Sequence, residues 1–346
     1  MTLIYFVLIL GVIVLVHEFG HFIFAKMFGV HVYEFSIGMG PKICGTKPEK
    51  GKTVYNLRLI PIGGFVQLAG EEVDDDEKIP SDQKLYNKPV WQRFLIMFFG
   101  AGNNFILAFL ILFFIGIFNG SPNMDPVITK VEEGYPMYEA GIRDDDKIVS
   151  INGKKTSTID DVSVYMTLNA GKEAVDFVIE RDGVEKLYTI TPKEEEKDGE
   201  TSYRFGIMFE QKVEKGFVNA IKYAFIKIGS LIKQMCIVLS SLFTGKLGLN
   251  SLSGPVGIYS IVGENAKNGL VSIFSLVALL SINVGFLNLV PLPAFDGGRL
   301  LFLVIEKIKG SPVSPQVENT VHSVGFILLM ILMLYITFND VVGLFK

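Results

Sequence analysis

Long apolar runs alternate with polar segments along this chain of 346 residues. Four stretches carry few or no charged residues: 3–16, 94–118, 270–295 and 323–338. A helix that crosses a bilayer needs roughly 20 residues, with a range of about 17–25. The pattern therefore predicts about four transmembrane helices, placed at 1–27, 92–119, 270–298 and 322–343.

A fifth helical pattern, over 214–247, is interrupted by charge. Lys222, Lys227 and Lys233 are spaced among apolar residues in "FVNAIKYAFIKIGSLIKQMCIVLSSLF". This spacing favours an amphipathic helix on the membrane surface. A further span over 228–243 is the alternative that the pattern leaves open.

The segment "KTVYNLRLIPIGGFVQLAGE", residues 52–71, alternates in a way typical of strands. Pro61 and the pair Gly63-Gly64 indicate a turn or bulge. We therefore predict a β-hairpin over 52–68, in the segment 28–91, that dips back into the membrane. Such a backbone is tolerated there only when it is buried in protein or lines a wet cavity. An unpaired strand edge at that place could receive an extended peptide.

Residues 123–213 read as a soluble α/β domain inserted between spans. The stretch "AVDFVIERDGVEKLYTITP" predicts a hairpin that turns at Asp182-Gly183. The domain resembles a PDZ domain of the bacterial, circularly permuted kind, on these motifs: Ala140-Gly141-Ile142, Asp146-Lys147-Ile148 and Ile151-Asn152-Gly153. PDZ domains bind extended chain ends by strand addition, so a peptide or protein ligand is expected here.

The composition agrees with a membrane protein. Hydrophobic residues make up 49% of the chain and charged residues 20%, and the mean hydropathy is +0.41. The net charge of -4 gives no indication of a nucleic-acid partner. Cys44 and Cys236 belong to no metal-binding or disulfide pattern, and we expect both to pack as small apolar residues.

The distribution of basic residues predicts an orientation in the cell membrane. Nine Lys and Arg lie in residues 28–93, and Arg299, Lys307 and Lys309 follow the third run. The positive-inside rule places both segments in the cytoplasm and the 119–215 region outside. No basic residue precedes Lys26 and no A-x-A follows the first run, so we expect that run to be a retained span rather than a cleaved signal peptide.

The first apolar run carries ionisable residues in its middle. His17, Glu18 and His21 fit the pattern H-E-x-x-H. On a helix, positions i and i+4 share a face, where two imidazoles can hold one Zn²⁺. The glutamate beside them can take a proton from the attacking water. Ionisable residues at bilayer depth are costly and mark functional sites, although a polar cluster that merely holds helices together is the structural alternative.

A hydrolytic zinc site uses three protein ligands, so a third is required. His31 and His322 are weak candidates, because His31 follows the first span in a turn-rich region and His322 starts the last span without a clear partner. Asp296 is the better one: it ends the third run, and the nearby prolines and glycines predict an irregular backbone at membrane depth. If the first and third spans run in the same direction, His17, His21 and Asp296 lie at similar depth, towards the cytoplasmic face.

Together these motifs resemble the site-2 protease family of zinc intramembrane metalloproteases, in its bacterial form with a PDZ domain. The resemblance covers nearly the whole chain and includes "HEFGH" (17–21), "IPIGGFVQLAGE" (60–71), "NKPVWQRFLIMFFGAGNNF" (87–105), "SGPVGI" (253–258) and "NLVPLPAFDGG" (288–298). One departure is Gly100-Ala101, where the family usually has Gly-Pro. That difference leaves a kink in the second span open.

The resemblance implies a polytopic α-helical fold and a peptidase with one Zn²⁺ per chain. It implies zinc ligation by His17, His21 and Asp296, with Glu18 as general base. It also implies that the substrate is held by Asn288 and by the edge of the hairpin, at Gly63, Gly64, Phe65 and Val66. The expected substrates are single-span membrane proteins, such as anti-sigma factors, or remnant signal peptides.

Two other functions are compatible with parts of the pattern. A membrane receptor or scaffold would use the PDZ-like domain and bind no zinc. A metal transporter would use intramembrane His and Asp residues as an ion path. The glutamate directly after His17 favours the protease, because a site that only binds metal needs no base there.

Overall fold

The computed structural model of the chain describes residues 1–47, 49, 51–71, 78–169, 171, 173–197, 200–210 and 212–343. The chain divides into two compact units. The first unit comprises Met1–Ile111 and Leu249–Lys346, and the second comprises Leu112–Gly248. Residues 72–77 of the acidic run "EEVDDDE" (71–77), for which the sequence predicts a solvated loop, lie outside the described residues.

Helices form most of the described chain. They are α1 (Thr2–Met27), α2 (Val90–Asn119), α3 (Pro136–Glu139), α4 (Ile159–Leu168), α5 (Phe217–Phe243), α6 (Pro255–Lys267), α7 (Leu270–Leu289), α8 (Asp296–Lys309) and α9 (Pro315–Gly343). Within the described residues, five helices are long and apolar enough to cross a membrane, judged by length and composition: α1, α2, α5, α7 and α9. The sequence prediction of about four spans did not count α5.

Two predicted spans have different bounds in the structure. The predicted span 270–298 is wrong at its end, because α7 stops at Leu289 and Asp296 is instead the first residue of α8. Pro291 and Pro293 lie in the link between these helices, since proline cannot continue a helix. The last helix begins at Pro315, seven residues before the predicted start at 322.

The first unit packs around α1. Near its N-terminal half, Ile9 and Ile13 contact an apolar cluster that includes Val262 of α6 and Leu276 of α7. Near its C-terminal end, Ala25 belongs to a second cluster, which draws on the strands and on α2 and α8: Val30, Val32, Leu68, Leu85, Ile96, Met97, Leu300 and Leu303. Between these clusters lies the part of α1 that carries His17 and His21.

The strands of the first unit are β1 (Val32–Gly45) and β2 (Val54–Leu68). The prediction of a hairpin within 52–68 is wrong, because its two halves do not pair with each other but are parts of one strand that pairs with β1. Residues 64–67 and 54–57 both have partners among residues 34–37. The 34–37 segment therefore lies between the two halves of β2, and residues 64–68 pair on one side within the described chain.

The second unit contains an antiparallel sheet with a buried core. Its strands are β3 (Ser121–Pro122), β4 (Lys130–Val131), β5 (Lys147–Ile151), β6 (Lys154–Lys155), β7 (Val175–Arg181), β8 (Val184–Ile190), β9 (Lys193–Lys197), β10 (Glu200–Arg204), β11 (Ile207–Met208) and β12 (Val213–Glu214). The main sheet has the order β6-β5-β7-β8. The predicted turn at Asp182-Gly183 is confirmed, with both residues at positive φ between β7 and β8.

Helix α5 is attached to the rest of the second unit by its lysines. Lys227 Nζ lies 2.7 Å from the nearer carboxylate oxygen of Asp160, and Lys233 Nζ lies 2.7 Å from Asp161. Both aspartates belong to the first turn of α4. These two positive charges, which suggested a membrane surface in the sequence, are used within the protein. The location of α5 on that surface stays a prediction.

The two cysteines differ from expectation. Cys44 and Cys236 are both exposed free thiols, so the prediction that they pack as buried apolar residues is wrong.

Candidate metal centre and active site

His17 and His21 lie one turn apart on α1, and both are buried, with 8% of their surface exposed. Their ring centroids are 4.9 Å apart, and their Nε2 atoms are 3.3 Å apart. The i and i+4 spacing of the sequence therefore brings both imidazoles to one point, as predicted.

The ring of His21 is held by the backbone of α2. Its Nδ1 lies 2.9 Å from the carbonyl oxygen of Ile96. Because a carbonyl can only accept, Nδ1 carries the proton and donates, which leaves a lone pair on Nε2. An imidazole oriented in this way is typical of a metal-binding histidine.

Two glycines allow α1 and α2 to come close beside the site. A Cβ at Gly20 would overlap the carbonyl group of Phe99, and a Cβ at Gly100 would overlap the ring of His21. The His21 ring therefore occupies the space that a side chain at position 100 would need. The α2 helix is continuous from Val90 to Asn119, as expected where Ala101 stands in place of the family's usual proline. Asn103 Nδ2 donates a further hydrogen bond to Val16 O on α1, at 3.4 Å.

Asp296 approaches the histidines from the start of α8. The link from α7 turns sharply, and a Cβ at Gly297 would overlap the carbonyl of Val290. In the same link Ala294 has φ 75°, a backbone region that non-glycine residues rarely adopt. This turn places Asp296 Oδ2 at 3.2 Å from His17 Nε2 and 3.3 Å from His21 Nε2.

The three donor atoms form a nearly equilateral triangle, which fits a zinc ion. Zinc holds nitrogen and oxygen ligands at about 2.0–2.2 Å in tetrahedral geometry, so neighbouring donors lie roughly 3.3–3.5 Å apart. Asp296 Oδ2 and His17 Nδ1 are buried and make no hydrogen bond among the described residues. Within those residues, His17, His21 and Asp296 are the group whose donor atoms could hold a metal ion.

A cavity of about 830 Å³ opens onto this triangle. Its lining includes His17, His21 and Asp296, together with other residues expected at the site: Glu18, Asn288, Phe65 and Val66. Gly63 and Gly64 are buried in β2, and a Cβ at Gly64 would lie 3.7 Å from Glu18 Cγ. The structure thus brings the predicted ligands, the predicted base and the strand edge to one cavity.

Sequence reasoning missed an ion pair in the cavity wall. Arg299 Nη1 donates to Glu71 Oε1, and both residues line the cavity. Glu71 lies three residues after the end of β2, so this pair fixes the chain that follows β2 to the first turn of α8. The sequence offered one signal for this pair, an arginine directly after the glycine pair.

His322 also has a partner that the sequence did not reveal. The backbone N–H of Ala294 donates to its Nδ1 at 3.1 Å, and the side chain lines the cavity. It does not belong to the metal-binding triangle. His31 lies elsewhere, in the link between α1 and β1, where its backbone N–H donates to Gln83 O.

Comparisons with known proteins agree with a hydrolytic metal site in a membrane protein. The model of Peptidase family M50, the site-2 protease family, matches residues 5–332. A putative zinc metalloprotease of Fusobacterium nucleatum is 36% identical over 348 residues and covers 100% of each chain. The regulator of sigma-W protease RasP of Bacillus subtilis is 34% identical and covers 99% of each chain.

The chain belongs to Peptidase family M50. It is a multi-pass membrane protein and a zinc metalloendopeptidase with Zn²⁺ as cofactor. This membership favours the protease over the receptor and the transporter that the sequence had left as alternatives.

Proposed function

We propose that this protein is a zinc-dependent intramembrane endopeptidase that cleaves single-span membrane proteins within or near their transmembrane segment. One observation carries the proposal: an H-E-x-x-H pair on an apolar helix and an aspartate at the start of another helix converge on one cavity. A soluble metallopeptidase would have no need to bury this chemistry in helices long and apolar enough to span a bilayer.

In this proposal His17, His21 and Asp296 hold the metal. Bound zinc supplies Lewis acidity, which polarises a carbonyl group and makes water acidic enough to lose a proton near neutral pH. These residues would supply three ligands, two imidazoles and one carboxylate, as in other hydrolytic zinc sites. The hydrogen bond from His21 to Ile96 O keeps its Nε2 available as a ligand.

Glu18 is the proposed general base. It follows His17 on α1, so its carboxylate lies beside the ligands without belonging to the triangle. Its carboxylate accepts the proton of the attacking water and later delivers it to the amine of the leaving peptide. Because an intramembrane helix hides its carbonyl groups in its own hydrogen bonds, the substrate has to unwind locally before it can be cleaved.

The strand edge at residues 64–68 is the proposed binding place for the unwound substrate. Phe65 and Val66 line the cavity, and this part of β2 pairs on one side among the described residues. An extended peptide could therefore add as a neighbouring strand, with backbone hydrogen bonds that do not depend on its sequence. Asn288 lines the same cavity and is proposed to hold the substrate from the α7 side.

The proposed role is in regulated intramembrane proteolysis. The name of the Bacillus subtilis relative connects that protein with sigma-W, which supports anti-sigma-factor-like proteins as substrates, with remnant signal peptides as a second class. The basic segments support an active site towards the cytoplasm. The region 123–213 is proposed to be an extracytoplasmic PDZ-like domain that recruits chain ends or excludes large substrates.

The test is cleavage of a purified single-span substrate, with the cut mapped by mass spectrometry. Wild type, Glu18→Gln and the matched control Glu49→Gln, an exposed carboxylate, are compared with and without a zinc chelator. We expect cleavage within or near the membrane segment by wild type and the control, a rate about 10²–10⁴-fold lower for Glu18→Gln, and none with chelator. Cleavage by Glu18→Gln at the wild-type rate, or a cut far outside the membrane segment, would contradict the proposal.

A further inference from the structure

The link between α7 and α8 has an unusual backbone conformation just before Asp296, the first residue of α8. Ala294, two residues before Asp296, lies in the left-handed region with φ 75°. A conformation that a side chain disfavours persists only where surrounding contacts hold it. The orientation of the Asp296 carboxylate therefore depends on whatever stabilises this link.

His322 of α9 lies next to the chain both before and after Asp296. Its Nδ1 accepts the backbone N–H of Ala294 at 3.1 Å, and a Cβ at Gly298 would lie 3.1 Å from its Cε1. Its ring also packs against Phe302 of α8, with centroids 5.8 Å apart. One imidazole thus accepts a hydrogen bond from the residue two before the aspartate and lies beside the residue two after it.

Helix α9 comes close to the link where Gly325 faces Pro293. Gly325, about one turn after His322, leaves the space that Pro293 occupies, because a Cβ there would overlap the proline ring. Proline and glycine together bring α9 close enough for the imidazole to reach the backbone of Ala294. Most large apolar residues of α9 are exposed. The contact of His322 and Gly325 with the link is therefore local and does not belong to a broad packed face of the helix.

We propose that His322 is a positioning residue that holds Asp296 in the orientation needed to bind zinc. The proposal rests on the assignment of Asp296 as a ligand. Without an acceptor at Nδ1, the Ala294 N–H loses its partner and the link can relax, which moves Asp296 Oδ2 away from the two Nε2 atoms. Replacing groups that orient metal ligands typically lowers metal affinity about 10- to 100-fold.

The experiment measures zinc affinity of the full chain in detergent, by competition with a fluorescent chelator. His322→Asn places an amide oxygen near the position of Nδ1, whereas His322→Gln places its amide near Nε2. We expect a loss of about 10- to 100-fold for His322→Leu and His322→Gln, and near wild-type affinity for His322→Asn. Asn319→Leu, an exposed change one turn earlier on α9, is the control.

Equal zinc affinity of His322→Leu and wild type would overturn the proposal, as would equally weak binding by the Asn and Gln variants. Cleavage gives an independent readout, because a positioning defect should disappear once zinc saturates the variant. A higher KM that persists at saturating zinc would show a substrate contact instead, and would also overturn it. If His322→Leu fails to fold, the comparison of the two amide variants still decides.

Asp296→Ala in the same assay separates this inference from the proposed function. Loss of zinc by Asp296→Ala, together with unchanged binding by the His322 variants, would overturn the inference alone. Unchanged zinc binding by Asp296→Ala would remove the ligand assignment, and the positioning role would fail with it.

Discussion

Asp146 is a buried aspartate of the second unit and Asp296 a partly buried one of the first unit, and the two differ in the groups that face their carboxylates. Asp146 is 1% exposed, and both of its oxygens accept hydrogen bonds from Arg181, at 2.6 Å each. Asp296 faces two imidazole nitrogens, and its Oδ2 makes no hydrogen bond among the described residues. The nearby Arg299 is paired with Glu71 instead.

The difference shows how a structural carboxylate can be distinguished from one that binds a ligand. A buried charge is normally neutralised by a partner of fixed geometry, as Arg181 does for Asp146. A carboxylate that converges with other lone-pair atoms, and with no cation from the chain, has the environment of a metal ligand. Substitutions at the two aspartates should therefore have different consequences.

The largest effect is expected for Asp296→Ala. Loss of one of three ligands should lower bound zinc from one ion per chain to near zero and abolish cleavage, because the remaining imidazoles alone bind zinc weakly. Asp146→Ala should leave the zinc content unchanged. Metal analysis of both purified variants checks this, and equal zinc contents would show that the two aspartates do not differ in function.

Glu18→Gln should have the next largest effect, on catalysis only. Removal of a general base typically lowers the rate by about 10²–10⁴-fold, while the ligands and the fold remain intact. We therefore expect full zinc content with a reduced kcat. Parallel metal analysis and cleavage kinetics make the measurement; loss of zinc in this variant would mean that Glu18 is itself a ligand.

Asp146→Asn should act on stability rather than chemistry. It removes charge-assisted hydrogen bonds from Arg181, but that arginine is 44% exposed and can be solvated, so a cost of about 1–3 kcal/mol is expected. Hydrogen exchange of β5 and β7 measures it locally. Asp296→Asn, measured in the presence of chelator, should not cause a comparable loss of stability in the first unit. Among the described residues, no Lys or Arg forms an ion pair with Asp296, so this substitution removes no such pair.

The Asp146–Arg181 pair also makes the stability of the second unit depend on pH. Burial raises the pKa of Asp146, but hydrogen bonds from Arg181 and from the Arg143 N–H outweigh it and hold the pKa below its ordinary value. The stabilisation is therefore complete above about pH 4 and is lost as pH falls through the folded-state value. Hydrogen exchange between pH 3 and pH 6 should show this loss in wild type and a flatter profile in Asp146→Asn.

The smallest effect is expected where α5 meets α4. Lys233→Ala removes the cation beside Asp161, which is 1% exposed. Asp161 keeps hydrogen bonds from the backbone N–H groups of Ser157 and Thr158, so we expect a cost of only about 0.5–1.5 kcal/mol. Lys222→Ala, at an exposed position of the same helix, is the matched control. Faster hydrogen exchange in α4 of the Lys233 variant alone would confirm the contact.

The sequence predicted the parts of the site that depend on local spacing. The positions of His17 and His21 follow from the helical repeat, and the apolar runs predicted most of the long helices. The place of Asp296 was also predicted, although its element was not, because the prolines and glycines indicate an irregular backbone without showing where the next helix begins.

Contacts between distant segments could not be predicted from one sequence. The partner of β2 is a strand that begins 22 residues earlier, at Val32, and nothing in its own alternation identifies that pairing. The contacts of Arg299 with Glu71 and of His322 with Ala294 join residues 228 and 28 positions apart. Each depends on how helices and strands pack together, which the periodicity of a single segment does not encode.

X-ray absorption at the zinc K edge of the purified protein tests the ligand assignment most directly. With His17, His21 and Asp296 as ligands, the metal should have only nitrogen and oxygen neighbours, at about 2.0–2.2 Å, with the scattering pattern of two imidazoles. A sulfur neighbour at about 2.3 Å, or the pattern of three imidazoles, would contradict the account.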